Sequence, residues 1–350
     1  MQKHVLIVDD NTTNLKLAEN TLKPHYRVTL LVSGEQALKF LMKNRPDLIL
    51  LDILMPGMEG FETKRHIKAN PYTKDIPVIF LTAKSESISE VNALSLGAAD
   101  FIAKPFVPEI MLRRVSMQIE LSLYRNQLEQ MVKEQTHIVE KLQDVLVSSI
   151  TDLVEFRDKV TGGHAKRTAR YFEVFVNYLK NLPQYATILT PDVIVDMLRA
   201  APLHDVGKVG INDNVLTKNS GLDNQEFAYM QQHTILGGLA FEKALEELPD
   251  NRFLHIARDM ALCHHERWSG QGYPNGLVGE QIPLSARIMT IVDVYDALTT
   301  KRSYKEPYSH DSAVNLMMQL RGDHFDPTLA DAFLQCSEAF RKLSHSFEDD

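Results

Sequence analysis

The stretch HVLIVDD, residues 4–10, sets four apolar residues in a row directly before Asp9 and Asp10. Three later stretches share this arrangement of a short apolar run with polar residues at its end: PDLILLD (46–52), IPVIFLTA (76–83) and ADFIAKPF (99–106). Such runs are typical of β-strands, and helical patterns such as TNLKLAENTL (13–22) and GEQALKFLMK (34–43) lie between them. This alternation predicts an α/β fold with a doubly wound parallel sheet covered by helices on both faces.

Polar side chains follow the predicted strands at the sheet edge where function gathers in such folds: Asp9, Asp10, Asp52, Thr82 and Lys104. Three carboxylates at one edge repel each other unless a hard cation neutralises them, and oxygen ligands suit Mg²⁺. An amine and a hydroxyl beside that cation are suited to hold a phosphoryl group. A single acid at a strand end is usually an ordinary surface residue, but five fitting positions favour a functional site.

Residues 1–122 resemble the receiver domain of bacterial response regulators over essentially their whole length. The resemblance implies that Asp52 is the phosphoacceptor and that Asp9 and Asp10 hold Mg²⁺. It also implies that Thr82 and Lys104 contact the phosphoryl group, and it puts at Phe101 the aromatic residue that changes its packing on phosphorylation. A sensor histidine kinase or a phosphotransfer protein is then an expected partner.

A heptad pattern follows, in residues 123–147 and the residues just before them. Apolar side chains recur at steps of three and four for about four heptads, which is the signature of a coiled coil: Met117, Leu121, Tyr124, Leu128, Met131, Ile138, Leu142 and Val145. Gln135 fills the one gap, as a polar residue that fixes register at some cost in stability. We expect a helical linker that forms a parallel homodimer, with a single amphipathic helix on a domain surface as the alternative.

Composition narrows the class of protein. A chain of 350 residues exceeds one average domain. The net charge of −8 argues against a broad DNA-binding surface, and no apolar stretch approaches the roughly 18 residues of a membrane span. With only two cysteines, a disulfide framework and a thiolate zinc site are excluded. We expect a cytoplasmic protein that binds neither DNA nor membrane.

The second domain, residues 148–350, has a helical pattern almost throughout and is expected to be all-α. Neighbouring residues single out five histidines and one aspartate: His164 at a helix start after two glycines in TGGH, His204 beside Asp205 in PLHDVGK, His233 in MQQHTILGG, and the adjacent His264 and His265 in LCHHERW. Asp293 and Asp296 are three residues apart in the apolar stretch IMTIVDVYDALTT, hence on one helical face. A lone buried histidine is usually a hydrogen-bonded core residue. That explanation fails for the set, because Asp205 and Asp293 in apolar helices are costly without a charged partner.

Two metals offer such a partner. An aspartate can bridge two cations through its two oxygens, and a pair of metals roughly 3.5–4 Å apart clamps a phosphoryl group and supplies a hydroxide. With Asp205 as the bridge, His164, His204 and Asp293 complete one shell. The other shell then consists of His233, His264 and His265, which explains the doubled histidine.

Residues 148–350 resemble the HD-GYP domain, a subfamily of HD phosphohydrolases that hydrolyses cyclic di-GMP. The matching motifs are HDVGK (204–208), HHERWSGQGYP (264–274), RSYK (302–305) and FDP (325–327). The resemblance implies the seven metal ligands named above, and it makes Arg302 and Lys305 contacts of phosphate or guanine. It puts Lys208 beside the scissile phosphate and the loop Gly272, Tyr273 and Pro274 at the entrance to the site. A GGDEF-type partner protein at this loop is a further implication.

Two positions depart from the family pattern. Ser269 stands where an aspartate usually precedes the first glycine of the loop, and serine supports a turn more weakly. Val160 stands where some members have a glutamate that holds a third metal, so we expect two metals. The resemblance favours iron or manganese, while zinc, nickel and cobalt also suit nitrogen and oxygen ligands.

We therefore interpret the chain as a two-component response regulator whose output domain hydrolyses cyclic di-GMP to linear pGpG, with further cleavage to GMP left open. Asp205, Lys208 and Asp296 are the expected catalytic residues. One alternative is a catalytically silent sensor of cyclic di-GMP. Another is a general HD nucleotide phosphohydrolase, a class that needs only His164, His204, Asp205 and Asp293.

Overall fold

The structure is a computed structural model that describes residues 2–83, 98–157, 163–218, 220–301 and 306–347. The chain divides into two compact units, Met1–His137 and Ile138–Asp350. This division falls inside the predicted linker, so the boundaries 1–122, 123–147 and 148–350 stay predictions.

The first unit is built on a parallel sheet of five strands. They are β1 (His4–Val8), β2 (Arg27–Leu31), β3 (Leu48–Asp52), β4 (Val78–Ala83) and β5 (Asp100–Lys104), in the order β2-β1-β3-β4-β5. Every residue of β1 and β3 is buried, as continuously apolar strands require. The predicted doubly wound parallel sheet is confirmed.

Helices cover both faces of this sheet. They include α1 (Thr12–Leu22), α2 (Gly34–Leu41) and α3 (Gly60–Ala69). Val5 and Ile7 of β1 pack with α1, whereas Leu6 and Val8 pack with α2 and α3, because successive strand side chains point to opposite faces. The side chain of Asn11 starts α1 by accepting hydrogen bonds from the backbone N–H groups of Thr13 and Asn14.

A single long helix, α4, runs from Pro108 to Arg157. The apolar side chains of the heptad pattern from Leu121 onward lie along it with exposed fractions of 51% to 61%. None of the residues that the structure describes covers this surface, which we call the seam, well enough to bury it. Among the residues that the structure describes, none of the helices combines the length and the apolar character that a bilayer crossing requires.

The second unit is helical. Its α-helices are α5 (His164–Leu179), α6 (Pro191–Ala200), α7 (Asp213–Leu216), α8 (Asn224–Glu247), α9 (Arg252–Cys263), α10 (Leu284–Thr299), α11 (His310–Gln319) and α12 (Pro327–Ser346). Short 3-10 helices lie at Ala201–Leu203, Val206–Gly210 and Gly279–Gln281. Tyr171 on α5 and Tyr295 on α10 meet Phe340 of α12 in a buried aromatic cluster. This cluster fixes α5 beside α10, and the two helices carry His164 and Asp293.

Candidate metal centre

His204 and Asp205 lie in a turn, and the expectation that they are part of an α-helix is wrong. The turn joins the 3-10 helices Ala201–Leu203 and Val206–Gly210. Gly207 explains the geometry, because a Cβ atom there would lie 1.9 Å from the backbone oxygen of His233. The backbone of the turn therefore touches α8 directly and brings Asp205 to His233.

Asp205 stands between two groups of possible ligands. Its Oδ2 atom is 3.5 Å from Nε2 of His204 and 3.8 Å from Nε2 of His164. Its Oδ1 atom is 3.4 Å from Nε2 of His233 and 3.7 Å from Nε2 of His264. We call His164, His204 and Asp205 the His164 group, and His233, His264 and His265 the His233 group. Within each group the ligand atoms lie within 4.8 Å of one another.

Backbone carbonyls set the tautomer of three rings. The Nδ1 atoms lie 2.8, 2.7 and 2.9 Å from carbonyl oxygens, in the pairs His204–Ala201, His233–Met230 and His264–Met260. A carbonyl only accepts, so each Nδ1 carries the proton and each Nε2 presents a lone pair. The Nε2 atoms of His233 and His264 are 3.5 Å apart, and two lone pairs at that distance repel. A cation held by both nitrogens removes this repulsion, so the donor set fits a divalent metal.

Burial keeps these rings neutral at pH 7. It lowers the pKa of His233 and of His264 to about 4 and lowers the pKa of His204 and His265 as well. Burial alone would raise the pKa of Asp205, but the charge of Lys208 and the neighbouring histidines hold it well below its usual value. Neutral imidazoles around an ionised carboxylate are the protonation states that metal ligands need.

His164 is held at both ring nitrogens by the two acids of α10. Asp296 Oδ2 accepts from Nδ1 at 2.7 Å, and Asp293 Oδ1 lies 3.4 Å from Nε2. Burial alone would lower the pKa of His164, but the hydrogen bond to Asp296 and the charge of Asp293 raise it. Positive charge is thus favoured at the Nε2 edge of the His164 ring, which faces His204 and Asp205.

Asp296 lies behind His164, away from the other ligands. Its side chain is 1% exposed, and Arg167 donates to it from Nε at 2.7 Å. Burial alone would raise the pKa of Asp296, but the hydrogen bonds from His164 and Arg167 lower it to about 2. Arg167 was missed in the sequence, although its position three residues after His164 on the same helix was a usable signal.

The loop after His265 is organised by Glu266, a second residue that the sequence analysis missed. Glu266 is 1% exposed, and its two oxygens accept from the backbone N–H groups of Asn275 and Leu277 at 2.7 and 3.0 Å. Gly272 packs so closely that a Cβ atom would lie 2.3 Å from the backbone nitrogen of Arg267. This packing brings the Tyr273 ring to 4.8 Å from that of His265.

Some of the remaining predicted residues lie in the described part of the chain, and others lie outside it. Lys208 Nζ lies 2.6 Å from Asp205 Oδ2. Pro274 follows Tyr273 in the loop. Ser269 contributes a backbone hydrogen bond to Asp323 of 2.8 Å, while its buried hydroxyl has no partner within the described part of the chain. Arg302, Lys305 and Val160 lie outside the described residues.

The sheet edge of the first unit brings the receiver residues together. Lys104 Nζ lies 2.8 Å from Asp9 Oδ2 and 2.7 Å from Asp52 Oδ2. Oxygens of Asp9, Asp10 and Asp52 lie within 4.8 Å of one another. Burial, followed by the charges of Asp9 and Asp10, raises the pKa of Asp52 despite the amine of Lys104. A cation among the three acids would relieve this repulsion.

Other residues of the first unit frame this edge. Thr82 is buried at the end of β4, and the guanidinium of Arg114 lies 5.4 Å from the ring centre of Phe101. Asn14 donates to both oxygens of Asp9 at 3.2 Å, a contact that the sequence analysis missed.

A parallel sheet with an acidic pocket, joined in one chain to a helical unit with two groups of possible metal ligands, is the combination expected of a signalling protein with a hydrolytic output domain. Residues 5–116 match the family described as "Response regulator receiver domain", and residues 149–329 match the family described as "HD domain". The chain belongs to the HD domain family and is a response regulator.

Relatives define the family further. A Vibrio cholerae protein named "Probable cyclic di-GMP phosphodiesterase" is 42% identical over 99% of this chain and 80% of its own length. A "Cyclic di-GMP phosphodiesterase response regulator" of Xanthomonas campestris is 34% identical over 98% of this chain and 90% of its own length. A "3'3'-cGAMP-specific phosphodiesterase 2" of Vibrio cholerae is 38% identical over 58% of this chain and 37% of its own length. The predicted receiver domain and metal-dependent phosphodiesterase family are confirmed, and a receiver domain implies a phosphodonor such as a histidine kinase.

Proposed function

We propose that this protein hydrolyses cyclic di-GMP to linear pGpG at a two-metal centre and that phosphorylation of Asp52 controls the reaction. The observation that carries the proposal is the position of Asp205, whose two oxygens face two different groups of histidines. One oxygen lies within 3.8 Å of His164 and His204, and the other lies within 3.7 Å of His233 and His264. A single metal would leave one of these groups without a cation.

In this proposal His164, His204, Asp205 and Asp293 hold one metal, and Asp205, His233, His264 and His265 hold the other. Divalent cations in such a centre supply Lewis acidity for hydrolysis of a phosphodiester. Imidazole-rich sites with carboxylates suit iron or manganese, with zinc, nickel and cobalt as rivals.

Two residues beside the ligands neutralise charge or hold a ligand in place. The amine of Lys208, within 2.6 Å of Asp205, is near enough to the ligands to neutralise charge on a phosphodiester oxygen. Asp296 is a positioning residue in this proposal and not the catalytic residue that the sequence suggested. Its oxygens are occupied by His164 and Arg167 behind the ligands, and its role is to fix the tautomer and orientation of His164.

Two basic residues and one loop are the proposed substrate contacts. Arg302 and Lys305 are assigned to phosphate or guanine, since guanidinium and ammonium groups bind both. The loop with Gly272, Tyr273 and Pro274 lies next to His265, and Tyr273 offers an aromatic face there. The exposed side of this loop is also the proposed contact of a GGDEF-type protein.

Control comes from the first unit. Asp9 and Asp10 are proposed to hold Mg²⁺, Asp52 to accept the phosphoryl group, and Thr82 and Lys104 to contact it. The exposed seam on α4 supports a parallel homodimer, because a second copy would bury the same heptad positions. We also propose that the protein is cytoplasmic.

The decisive experiment measures turnover on protein whose metal content has been determined. Cyclic di-GMP, 3'3'-cGAMP and mononucleotides are supplied separately, with iron or manganese restored to metal-free protein. We expect pGpG from cyclic di-GMP and no turnover of mononucleotides. Preferred cleavage of 3'3'-cGAMP would change the substrate, whereas tight binding of cyclic di-GMP without cleavage, on metal-loaded protein, would identify a silent sensor.

A further inference from the structure

The last turn of α4 reaches the N-terminus of α5, where His164 begins the helix. Glu155 Oε1 accepts a hydrogen bond of 2.6 Å from the backbone N–H of Ala165, the residue after His164. This N–H is one of the helix-terminal donors that have no acceptor within their own helix. Gly163, which precedes α5, has no side chain to cap it. Glu155 therefore caps α5 from a different helix, and its negative charge suits the helix N-terminus.

The same turn also holds the segment after Asp205. The guanidinium of Arg157 donates to the backbone oxygens of Val209 and Ile211, the latter at 3.0 Å, and to Asp213 Oδ1 at 2.7 Å. Val209 lies in the 3-10 helix that begins directly after Asp205 and includes Lys208. Arg157 thus fixes the far end of the turn that presents Asp205.

Little space separates α4 from the ligands. A cavity of about 20 Å³ is lined by Thr151, Val154 and Glu155 on one side and by His164, Asp205 and Lys208 on the other. A shift of this end of α4 therefore acts on the ligand-bearing segments directly.

We infer that Glu155 and Arg157 are positioning residues for the metal centre, through which the end of α4 sets the placement of His164 and Asp205. Groups that orient metal ligands typically change metal affinity by about 10–100-fold when removed. The inference rests on the metal centre proposed above and adds regulation to it. Because α4 is one helix from Pro108 to Arg157, a change in its position or rotation reaches both ligands.

The test measures affinity for Mn²⁺ on full-length, metal-free protein, in millimolar Mg²⁺ so that all-oxygen sites are occupied. We expect Glu155→Ala to weaken Mn²⁺ binding by about 10-fold, and Arg157→Ala to weaken it in the same direction. Glu155→Gln keeps an oxygen that accepts from Ala165, so its affinity should stay within about threefold of wild type. Asp152→Ala, which removes the same charge from the exposed side of the preceding turn, is the matched control and should bind Mn²⁺ as wild type does.

Equal Mn²⁺ affinity of Glu155→Ala and wild type, with unchanged thermal unfolding, would overturn the inference. So would a Glu155→Gln variant as weak as Glu155→Ala, because the affinity would then depend on a negative charge near the ligands and not on the hydrogen bond that places α5. If Glu155→Ala does not fold, Arg157→Ala decides by the same measurement. Because Mn²⁺ binding needs no nucleotide, a wild-type protein that binds Mn²⁺ but leaves cyclic di-GMP intact would contradict the proposed function and leave this inference standing.

Discussion

At the scale of single residues, Asp205 is the side chain that the two ligand groups share. It faces His204 and His164 with one oxygen and His233 and His264 with the other. Lys208 lies 2.6 Å from it. Its side chain is only 14% exposed, so these neighbours, and not water, stabilise its negative charge. Removing the carboxylate should therefore affect both ligand groups at once.

Asp205→Ala is predicted to lower bound metal and to abolish hydrolysis of cyclic di-GMP. Loss of several kcal/mol of charge stabilisation corresponds to a fall in kcat on the order of 10³-fold or more. Elemental analysis and a turnover assay on the same sample test both effects. Asp192→Ala, an exposed aspartate of α6, should change neither. Normal metal content with full activity in Asp205→Ala would contradict the site assignment.

At the scale of elements, the contact between the 206–210 helix and α8 decides whether Asp205 reaches His233. The backbone of Gly207 lies against that of His233 and Gly237, and a Cβ atom at Gly207 would lie 2.5 Å from the nitrogen of Gly237. Backbone atoms on both sides leave no flexible side chain to move aside. The two segments must separate if this position is enlarged.

Gly207→Ala is accordingly predicted to destabilise the second unit by about 3 kcal/mol, the upper range for overpacking. It should also reduce metal content, because Asp205 and His233 move apart. Thermal unfolding and elemental analysis measure the two effects. Gly221→Ala is the matched control, since a Cβ atom there has nothing within 4 Å. An unchanged unfolding temperature in Gly207→Ala would show that the contact is not needed.

The loop after His265 is a second element with one organising side chain. Glu266→Gln replaces a carboxylate oxygen by an NH₂ group that cannot accept from the backbone N–H of Asn275 or Leu277. A buried donor left without an acceptor costs about 1–3 kcal/mol, so we predict a loosened loop, faster proteolysis within residues 269–277 and a higher KM for cyclic di-GMP. Metal content should stay normal, because no ligand changes. Glu280→Gln, at an exposed position, is the control, and equal KM values in both variants would contradict this role of Glu266.

Sequence patterns predicted those parts of the molecule that follow from local physics. Apolar runs such as residues 5–8 predicted the sheet, and unusual combinations such as His264 with His265 indicated the candidate ligands, because each signal lies within a few residues. The contacts that support the candidate ligands could not be predicted from the sequence, because they join residues that are far apart in the chain. Arg167 and Asp296 are 129 residues apart in the chain, and their pairing depends on the packing of α5 against α10. The same holds for Glu155, since nothing in the sequence connects it to the backbone N–H of Ala165.

At the scale of the whole molecule, the seam on α4 predicts a dimer. Leu128 is 61% exposed and Leu142 56% exposed, and a helix with such a stripe is stabilised when a second copy covers it. Leu128→Glu should convert a dimer into a monomer in sedimentation velocity, because it places like charges opposite each other in the seam. Asn126→Glu adds the same charge outside the seam and should leave the dimer intact. A wild-type protein that is monomeric at micromolar concentration would contradict the prediction.

The last prediction concerns control of hydrolysis by Asp52. A phosphoryl group adds about two negative charges beside the proposed Mg²⁺ and biases Thr82, Lys104 and Phe101 between two arrangements. The following helix α4 runs from Pro108 to Arg157, and we propose that a change at its start is passed along it to Glu155 and Arg157. Beryllofluoride, a stable phosphoryl mimic, should therefore change the rate of cyclic di-GMP hydrolysis in the full-length protein.

Two controls separate this route from a direct effect on the metal centre. Beryllofluoride should not change the rate of a truncated protein that begins at Ile138, the first residue of the second unit. A Gly-Ser insertion after Gln135 breaks the heptad phase, so it should remove the response while hydrolysis continues. If beryllofluoride binds the full-length protein and the rate does not change, phosphorylation controls something other than turnover, such as partner binding, and the role of α4 as the connection is wrong.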